Sequence, residues 1–235
     1  MNYIKQIEII YDNRLVGRLA LTKEGLCAFE YSTEWLGSGF SISPFELPLK
    51  SGVFIAKSRP FEGGFGVFDD CLPDGWGLLI LDRYLQQKSI NPRTLTLLDR
   101  LALVGSTGRG ALEFRPDHSV VTRQDYADFE KLALEAEQIL DSDDYTGEGI
   151  EEFQDRGGSP GGARPKIFVR YNNKEWLVKF RAKRDPQSIG IDEYRYSLLA
   201  KQCGIEMPET RLFEDKYFGV ERFDRIPNSK LHVVS

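Results

Sequence analysis

The feature that most constrains this chain is a glycine-rich segment that runs directly into an apolar, β-branched run. Residues 157–166 read GGSPGGARPK, and residues 167–171 read IFVRY. Glycines let a backbone approach a ligand closely and can direct successive N–H groups at an anion. Arg164 and Lys166 place positive charge beside those glycines. The segment therefore predicts a phosphate-binding loop followed by a strand, with an ordinary glycine-rich surface loop as the alternative.

A lysine and a glutamate follow this segment in a defined order. Lys179 lies between apolar neighbours in the run 175–180, and Glu193 lies near the start of a predicted helix over 191–203. A glycine loop, a strand lysine and a helix glutamate, in that order, are the phosphate-handling parts of a protein-kinase N-lobe. Each of the three alone is more simply a solvated surface feature. The ordered set favours the functional interpretation.

Composition excludes several other classes of protein. The chain has 235 residues, of which 41% are hydrophobic and 29% charged, which is typical of a soluble globular protein of one or two domains. A net charge of −5 provides no global basic field for binding nucleic acid. No apolar run approaches the ~18–20 residues needed to span a bilayer. Three widely spaced cysteines and two histidines lead us to expect reduced thiols, no metal site and a cytoplasmic location.

The first part of the chain is predicted to open with a β-meander. Residues 4–11 and 14–21 form a predicted hairpin across the Asp12-Asn13 turn, and residues 26–31 form a third strand. Residues 32–52 are rich in Ser, Gly and Pro and are predicted to form a long loop.

Two helices and a strand are predicted to complete this first unit. A helix begins near Asp74, whose side chain can accept the free N–H groups of the first turn. A second helix begins at Asn91, which precedes a proline, and ends at Gly105. With a strand over 108–114, the unit is expected to span residues 1–116.

The rest of the chain is predicted to form a linker segment and a second unit. Residues 117–158 contain a predicted amphipathic helix over 123–140 and then an acidic stretch, 141–158, which we interpret as a mobile linker. In the second unit, residues 159–235, the predicted elements follow the order β-β-α-β-β of a kinase N-lobe: 166–171, 175–181, 191–203, 210–213 and 217–223. The predicted fold class is α+β, a β-rich N-terminal subdomain with helices followed by a kinase-like N-lobe made of a small antiparallel sheet plus one helix.

Several motifs resemble those of one known family, the HipA-type serine/threonine kinases, which are toxins of bacterial toxin–antitoxin pairs. In the first unit the motifs similar to the HipA N-terminal subdomain are LVGRL (15–19), FEY (29–31), ISP (42–44), LPL (47–49), LPDGWG (72–77) and GAL (110–112). In the second unit SPGGARPK (159–166) resembles the family's glycine-rich loop and VERFDR (220–225) resembles its hinge. The resemblance covers nearly the whole chain.

The resemblance implies a role for particular loop residues. Ser159 matches the serine that the family autophosphorylates, a modification implied to expel the loop from the ATP site, although it could also be only a small loop residue. Gly161 and Gly162 belong to the loop that covers ATP. Arg164 and Lys166 are candidate phosphate contacts, and a solvated lysine at the start of a strand is an equally good interpretation of Lys166.

Further roles are implied for residues after the loop. Lys179 matches the strand lysine that contacts the ATP phosphates, and Glu193 matches the helix glutamate that orients it by ion pairing. Glu221 and Phe223 match hinge positions whose backbone groups bind adenine. The cofactors implied for the full-length protein are ATP and Mg²⁺.

The family's catalytic Asp, Asn and metal-binding Asp are implied to lie in a helical C-lobe, and no stretch after residue 225 supplies them in this sequence. We therefore expect the C-lobe to be absent, so that the chain is a truncated form, a cleaved product or half of a split protein, inactive alone.

Two function classes remain: the nucleotide-binding part of a kinase toxin, or a non-catalytic module that binds an antitoxin or a separate C-lobe. The implied partners are a HipB-like DNA-binding antitoxin and a protein substrate such as an aminoacyl-tRNA synthetase, with no direct nucleic acid and no membrane. A P-loop NTPase is disfavoured because the GxxxxGK[ST] pattern is absent.

Overall fold

The computed structural model describes residues 4–120, 128–142, 145, 147–157 and 161–234. Its strands are β1 (Gln6–Tyr11), β2 (Arg14–Leu21), β3 (Cys27–Tyr31), β4 (Val53–Ile55), β5 (Leu112–Arg115), β6 (Lys166–Tyr171), β7 (Lys174–Lys179), β8 (Thr210–Phe213), β9 (Tyr217–Glu221), β10 (Arg225–Ile226) and β11 (Ser229–Lys230). The described α-helices are α1 (Thr33–Ser38), α2 (Gly66–Asp69), α3 (Gly75–Gln87), α4 (Leu97–Val104), α5 (Phe129–Asp141), α6 (Gly149–Gly157) and α7 (Ile189–Gln202). This content of helices and antiparallel strands confirms the α+β class.

The chain divides into two compact units whose segments alternate along the sequence. The first runs to Pro73, resumes over Asn91–Val120 and takes the chain from Asp224 onward. The second takes Asp74–Ile90 and the described part of 121–223. The sequence analysis predicted three contiguous segments, 1–116, 117–158 and 159–235. The observed division differs because α3 belongs to the second core and the residues from Asp224 onward pack on the first.

The first unit is built on a five-stranded antiparallel sheet in the order β4-β3-β2-β1-β5. The predicted turn between β1 and β2 is confirmed, since Asp12 and Asn13 both adopt positive φ, as tight hairpin turns require. Inward-facing side chains of the sheet, including Ile9, Leu19 and Phe29, are completely buried in one apolar core.

Two local predictions in the first unit were wrong. The stretch 32–52 is not a continuous loop, because Ser32 caps α1 by accepting from the Trp35 N–H at 3.1 Å. The helix expected from Asn91 is split: Asn91 caps only a 3₁₀ turn, and α4 begins after Thr96, which forms a capping box with Asp99. The structure confirms that α4 ends at Gly105, which has φ +52°.

The chain after residue 223 is attached to the first unit by side chains of the predicted hinge motif. Asp224 is buried and accepts from the Gly110 N–H at 2.9 Å. Arg225 donates to the carbonyls of Gly108 and Gly110 at 2.7 and 2.9 Å. Part of the motif that the sequence suggested as a nucleotide hinge therefore has a structural role.

The second unit contains a four-stranded antiparallel sheet in the order β6-β7-β9-β8, with α7 connecting β7 to β8. The order β-β-α-β-β predicted for this region is thus confirmed. The hairpin turn between β6 and β7, Asn172-Asn173, again has positive φ at both residues. Because side chains alternate along a strand, Trp176 and Val178 of β7 enter the core and Lys179 lies on the other face.

The second core also includes helices from outside that sheet. The acidic stretch 141–158 was interpreted as a mobile linker, but its described part contains α6, whose Ile150 and Phe153 are almost fully buried. The Phe153 ring packs edge-on against Trp76 of α3, with centroids 5.0 Å apart. Two well-placed apolar side chains are enough to dock a short helix whose remaining surface is acidic. None of the described helices has the length and apolarity needed to cross a membrane.

Candidate functional site

The centre of the candidate site is an ion pair between the strand lysine and the helix glutamate. Lys179 ends β7, and its Nζ lies 2.7 Å from Oε2 of Glu193 in the first turns of α7. The Lys179 ammonium also lies 5.3 Å from the centroid of the Phe218 ring on the neighbouring strand β9. Both charged side chains are partly exposed, at 32% and 25%. The two residues chosen from their order in the sequence therefore meet in space and remain accessible to a ligand.

A glycine brings α7 close enough for this contact. Gly190 is the second residue of α7, and a Cβ built there would lie 2.2 Å from the Lys216 carbonyl oxygen, in the turn before β9. No side chain fits at that distance, so Gly190 allows the start of α7 to rest on the β8–β9 turn. One helical turn later, Glu193 faces Lys179.

An open cleft surrounds this ion pair. It is shallow and open to solvent, and four of its lining side chains are basic against a single acidic one, Glu193. The basic residues are Arg164, Lys179, Arg181 and Lys216. A positively biased cleft with aromatic walls from Tyr217 and Phe218 suits an anionic ligand that has a flat apolar part.

The glycine-rich loop is folded back onto the lysine that follows it. Lys166 is the first residue of β6, and its Nζ donates to the carbonyls of Gly161 and Gly162 at 2.6 and 2.8 Å. Gly162 has φ +94°, a conformation that favours glycine. Because Lys166 is only 3% exposed, the interpretation of it as a solvated strand-start lysine was wrong.

Burial changes the acidity of this lysine. Desolvation, assisted by the nearby Lys179 charge, lowers the pKa of Lys166 from its usual 10.5 to about 8. Lys166 therefore stays mostly protonated at neutral pH but loses its proton at a lower pH than a solvated lysine, and an anion placed next to it would raise its pKa.

Arg164 is held by a carboxylate. Its Nε and Nη2 donate to the two carboxylate oxygens of Asp185 at 2.7 and 2.8 Å, a bidentate pair. This hydrogen-bonded guanidinium lowers the pKa of Asp185 to about 2. A phosphate contact by Arg164 must therefore share the guanidinium with Asp185.

A second group of contacts holds the loop from the side of α3. The Gly162 N–H donates to Oδ1 of Asp74 at 2.5 Å, and the Trp76 N–H donates to the Gly162 carbonyl at 3.0 Å. The predicted start of α3 at Asp74 is confirmed, but the Asp74 side chain caps no helical N–H. Its carboxylate is directed to the glycine loop instead.

Glu221 and Phe223, the two candidate hinge residues, lie at the end of β9 and just after it. Glu221 pairs with Trp176 of β7, and its backbone N–H donates to the Glu209 carbonyl at 2.8 Å. Its carboxylate accepts from Lys174 at 2.8 Å. Phe223 follows the strand and is 59% exposed. The Glu221 backbone can therefore offer a ligand its carbonyl, while its N–H is already used.

Ser159, the candidate phosphoacceptor, lies outside the described residues. Within the described residues, no group of three His, Cys, Asp or Glu side chains could hold a metal ion. Cys27 and Cys71 are buried free thiols, and Cys203 is an exposed one.

Sequence reasoning missed three residues that organise the site. Asp74 was expected only to cap its own helix and Asp185 was assigned no role, because the residues they bind, Gly162 and Arg164, are distant in the sequence. Gly190 was assigned no role, because a single glycine at the start of a helix is common. The one available signal was the LPDGWG motif (72–77), whose acidic residue and glycines indicate more than a helix start.

Comparison with known families gives two matches. A family model described as HipA N-terminal domain matches residues 7–115. A second model, described as HipA-like C-terminal domain, matches residues 158–235, which include the glycine-rich loop, Lys179 and Glu193. A search of curated proteins found no match to the chain.

Proposed function

Because the chain belongs to the HipA family, we propose that it is the nucleotide-binding portion of a HipA-like serine/threonine protein kinase toxin. Membership suggests a HipA-like toxin and implies an antitoxin partner in general terms. The observation that carries the nucleotide proposal is the 2.7 Å ion pair between Lys179 and Glu193 inside a cleft whose charged lining residues are basic except for Glu193. Within this proposal, β6–β9 and α7 correspond to the small lobe of a protein kinase.

The proposed role of Lys179 is to bind the phosphates of ATP while Glu193 holds its side chain in place. An ammonium has three N–H donors, so Lys179 can keep its bond to Glu193 and still donate to a phosphate oxygen. A lysine held by an ion pair loses less side-chain entropy when the ligand arrives. Lys166 and Arg164 lie near enough to the loop to add positive charge, each in competition with its present partner.

The proposed adenine contacts use the backbone at the end of β9. Adenine carries an exocyclic amine that donates and ring nitrogens that accept hydrogen bonds. The Glu221 carbonyl could accept from the amine, and the Phe223 N–H could donate to a ring nitrogen. When bound, ATP would supply the transferable phosphoryl group. The described residues do not fit a Mg²⁺ site of their own, so we assign no metal ligand to them.

The regulatory part of the proposal concerns Ser159. A phosphate there adds about −1.5 to −2 charge at neutral pH, two residues before the glycines that would cover ATP. Repulsion between that charge and the ATP phosphates would favour a loop outside the cleft. The proposed partners are a HipB-like DNA-binding antitoxin and a protein substrate, for which an aminoacyl-tRNA synthetase is the candidate that the family resemblance suggests.

Calorimetric titration of the chain with ATP tests the nucleotide proposal. We expect ATP to bind, and Lys179→Ala to raise its Kd about tenfold or more, since hydrogen bonds to charged groups contribute roughly 1.5–3 kcal/mol. The matched control is Lys183→Ala, which removes a lysine of the same unit that is ion-paired with Asp141 at 2.6 Å, with a side chain that is 69% exposed. Equal ATP affinity of wild type and Lys179→Ala would contradict the assignment.

One observation favours the alternative, a non-catalytic interaction module. The outer face of α7 and the chain just after it expose apolar side chains: Tyr196 at 72%, Leu199 at 52% and Ile205 at 58%. Exposed apolar patches often mark protein-binding surfaces. A chain that binds a HipB-like antitoxin or a separate kinase C-lobe, but no nucleotide, would support the module instead.

A further inference from the structure

We propose that Asp74 is a positioning residue for the glycine-rich loop, holding Gly162 in place so that the loop can cover the phosphates of a bound nucleotide. This inference rests on the proposed function, because it assigns the loop to a nucleotide. It goes beyond that function by giving a task to the LPDGWG motif, which contributes no residue to the cleft lining. The inference is carried by contacts among residues 74–76 and 161–166 of the second unit.

Two hydrogen bonds tie both backbone polar groups of Gly162 to the start of α3. The Gly162 N–H donates to Asp74 Oδ1 at 2.5 Å, and the Gly162 carbonyl accepts from the Trp76 N–H at 3.0 Å. The first bond is charge-assisted, a class that is about twice as strong as neutral bonds. Together they fix the position and the orientation of one loop peptide.

Gly75 makes this close approach possible. A Cβ built at Gly75 would lie 2.7 Å from the carbonyl carbon and oxygen of Gly162 and 2.9 Å from the Ala163 Cα. Gly75 also has φ +45°. Any side chain at this position would push the loop away from α3, so the motif requires glycine between the aspartate and the tryptophan.

The anchor is itself fixed by the second core. The Trp76 side chain is 2% exposed and packs edge-on against Phe153. The Asp74 carboxylate caps no helical N–H, so a residue type normally used for capping is committed to the loop. Lys166 also donates to the carbonyls of Gly161 and Gly162. The loop is therefore held by two elements, the start of α3 and the strand that follows the loop.

The direction of the change in ATP affinity distinguishes a loop-holding role of Asp74 from a purely electrostatic effect of its negative charge. The Asp74 carboxylate is negative, so by charge alone its removal would strengthen the binding of ATP phosphates. If Asp74 acts by holding the loop, its removal weakens the binding of ATP despite that favourable loss of charge. Asparagine keeps an acceptor oxygen without the charge and distinguishes the two effects.

The test combines hydrogen exchange with nucleotide titration of the full chain. In Asp74→Ala we expect amides in peptides covering 161–166 to exchange about three- to tenfold faster, the range for losing one exposed charge-assisted bond. We expect the Kd for ATP to rise by a similar factor and the Kd for adenosine, which has no phosphates, to stay unchanged. Asp74→Asn keeps a weaker, neutral bond, so its exchange over 161–166 should lie between wild type and Asp74→Ala, and it should bind ATP more tightly than Asp74→Ala.

Asp128→Ala is the matched control. Asp128 is an exposed aspartate of the same unit that caps α5 by accepting from the Lys131 N–H at 2.9 Å. Its loss destabilises a helix end without touching the loop, so exchange over 161–166 and the ATP-to-adenosine ratio should stay as in wild type. A change as large as that of Asp74→Ala would show a merely structural effect and overturn the proposal.

Four further outcomes would overturn it. Unchanged exchange over 161–166 in Asp74→Ala would show that Asp74 does not hold the loop. Tighter ATP binding in Asp74→Ala would show that the carboxylate competes with phosphate. If wild type binds neither ATP nor adenosine, the proposed function fails, and the nucleotide role of Asp74 fails with it. The inference alone fails when wild type binds ATP and Asp74→Ala binds it equally well.

Discussion

Replacing the buried lysine of the loop with methionine should change how stability depends on pH. Lys166 has a pKa of about 8 in the folded chain against a usual value of 10.5. Below pH 8 both the folded and the unfolded chain carry the proton, and the folded chain bears the cost of burying the charge. Between pH 8 and 10.5 the unfolded chain binds more protons than the folded one, so the free energy of unfolding rises with pH.

The size of the effect follows from the pKa difference. At about 1.4 kcal/mol per pKa unit, a lowering from 10.5 to about 8 corresponds to roughly 3 kcal/mol. Lys166→Met has no such titration. Its loss of the bonds to the carbonyls of Gly161 and Gly162 gives an offset that does not vary with pH, since a neutral amine can still donate both bonds. Relative to the variant, wild type should therefore gain about 3 kcal/mol from pH 8 to 10.5.

Urea unfolding at half-unit steps of pH, followed by tryptophan fluorescence, measures this difference. Trp76 and Trp176 both belong to the second core and report on the unit that contains Lys166. Lys183→Met, at an exposed lysine of the same unit, shows what the loss of any one lysine does. A wild-type-minus-Lys166→Met difference that stays flat with pH, or a slope equally large in the control, would refute the reasoning.

Two other predictions concern the loop serine and the segment expected to be a linker. Ser159→Asp should raise the Kd for ATP about fivefold relative to Ser159→Ala, because two like charges close together repel by ~1 kcal/mol even in water. Equal affinity of the two variants in calorimetry would contradict a phosphoserine switch. Phe153→Ala should lower the free energy of unfolding by about 3–5 kcal/mol, while Leu134→Ala, at a residue of α5 that is 59% exposed, should change it by less than about 0.5 kcal/mol. If urea denaturation shows that the two substitutions lower the free energy of unfolding equally, Phe153 does not contribute as a buried core residue.

Features that depend on local chemistry were predicted well from the sequence. The turns at Asp12-Asn13 and Asn172-Asn173 need positive φ, which asparagine and aspartate tolerate, so the sequence alone locates both hairpins. The ion pair between Lys179 and Glu193, which the family resemblance implied, is present in the structure at 2.7 Å.

Features that depend on distant partners were not predicted. The acidic composition of 141–158 did not indicate α6, because this helix is stabilised by packing of Phe153 against Trp76 of α3, which lies far earlier in the chain. Asp74 was expected to cap its own helix, and only the folded loop provides the stronger competing donor, the Gly162 N–H. The hydrogen bond from the Gly110 N–H to the Asp224 carboxylate likewise joins residues that no local rule connects.

The alternation of the two units along the chain has a consequence for synthesis. Translation proceeds from the N-terminus, and domains normally fold as they emerge. The first unit, however, takes contacts from Asp224, Arg225 and Lys230, which are made only after the whole second unit has been translated. A nascent chain that has reached residue 223 can pair its five-stranded sheet, but the hydrogen bonds from the Arg225 guanidinium to the carbonyls of Gly108 and Gly110 cannot yet form. The first unit should therefore reach its final state only after the second unit has been translated.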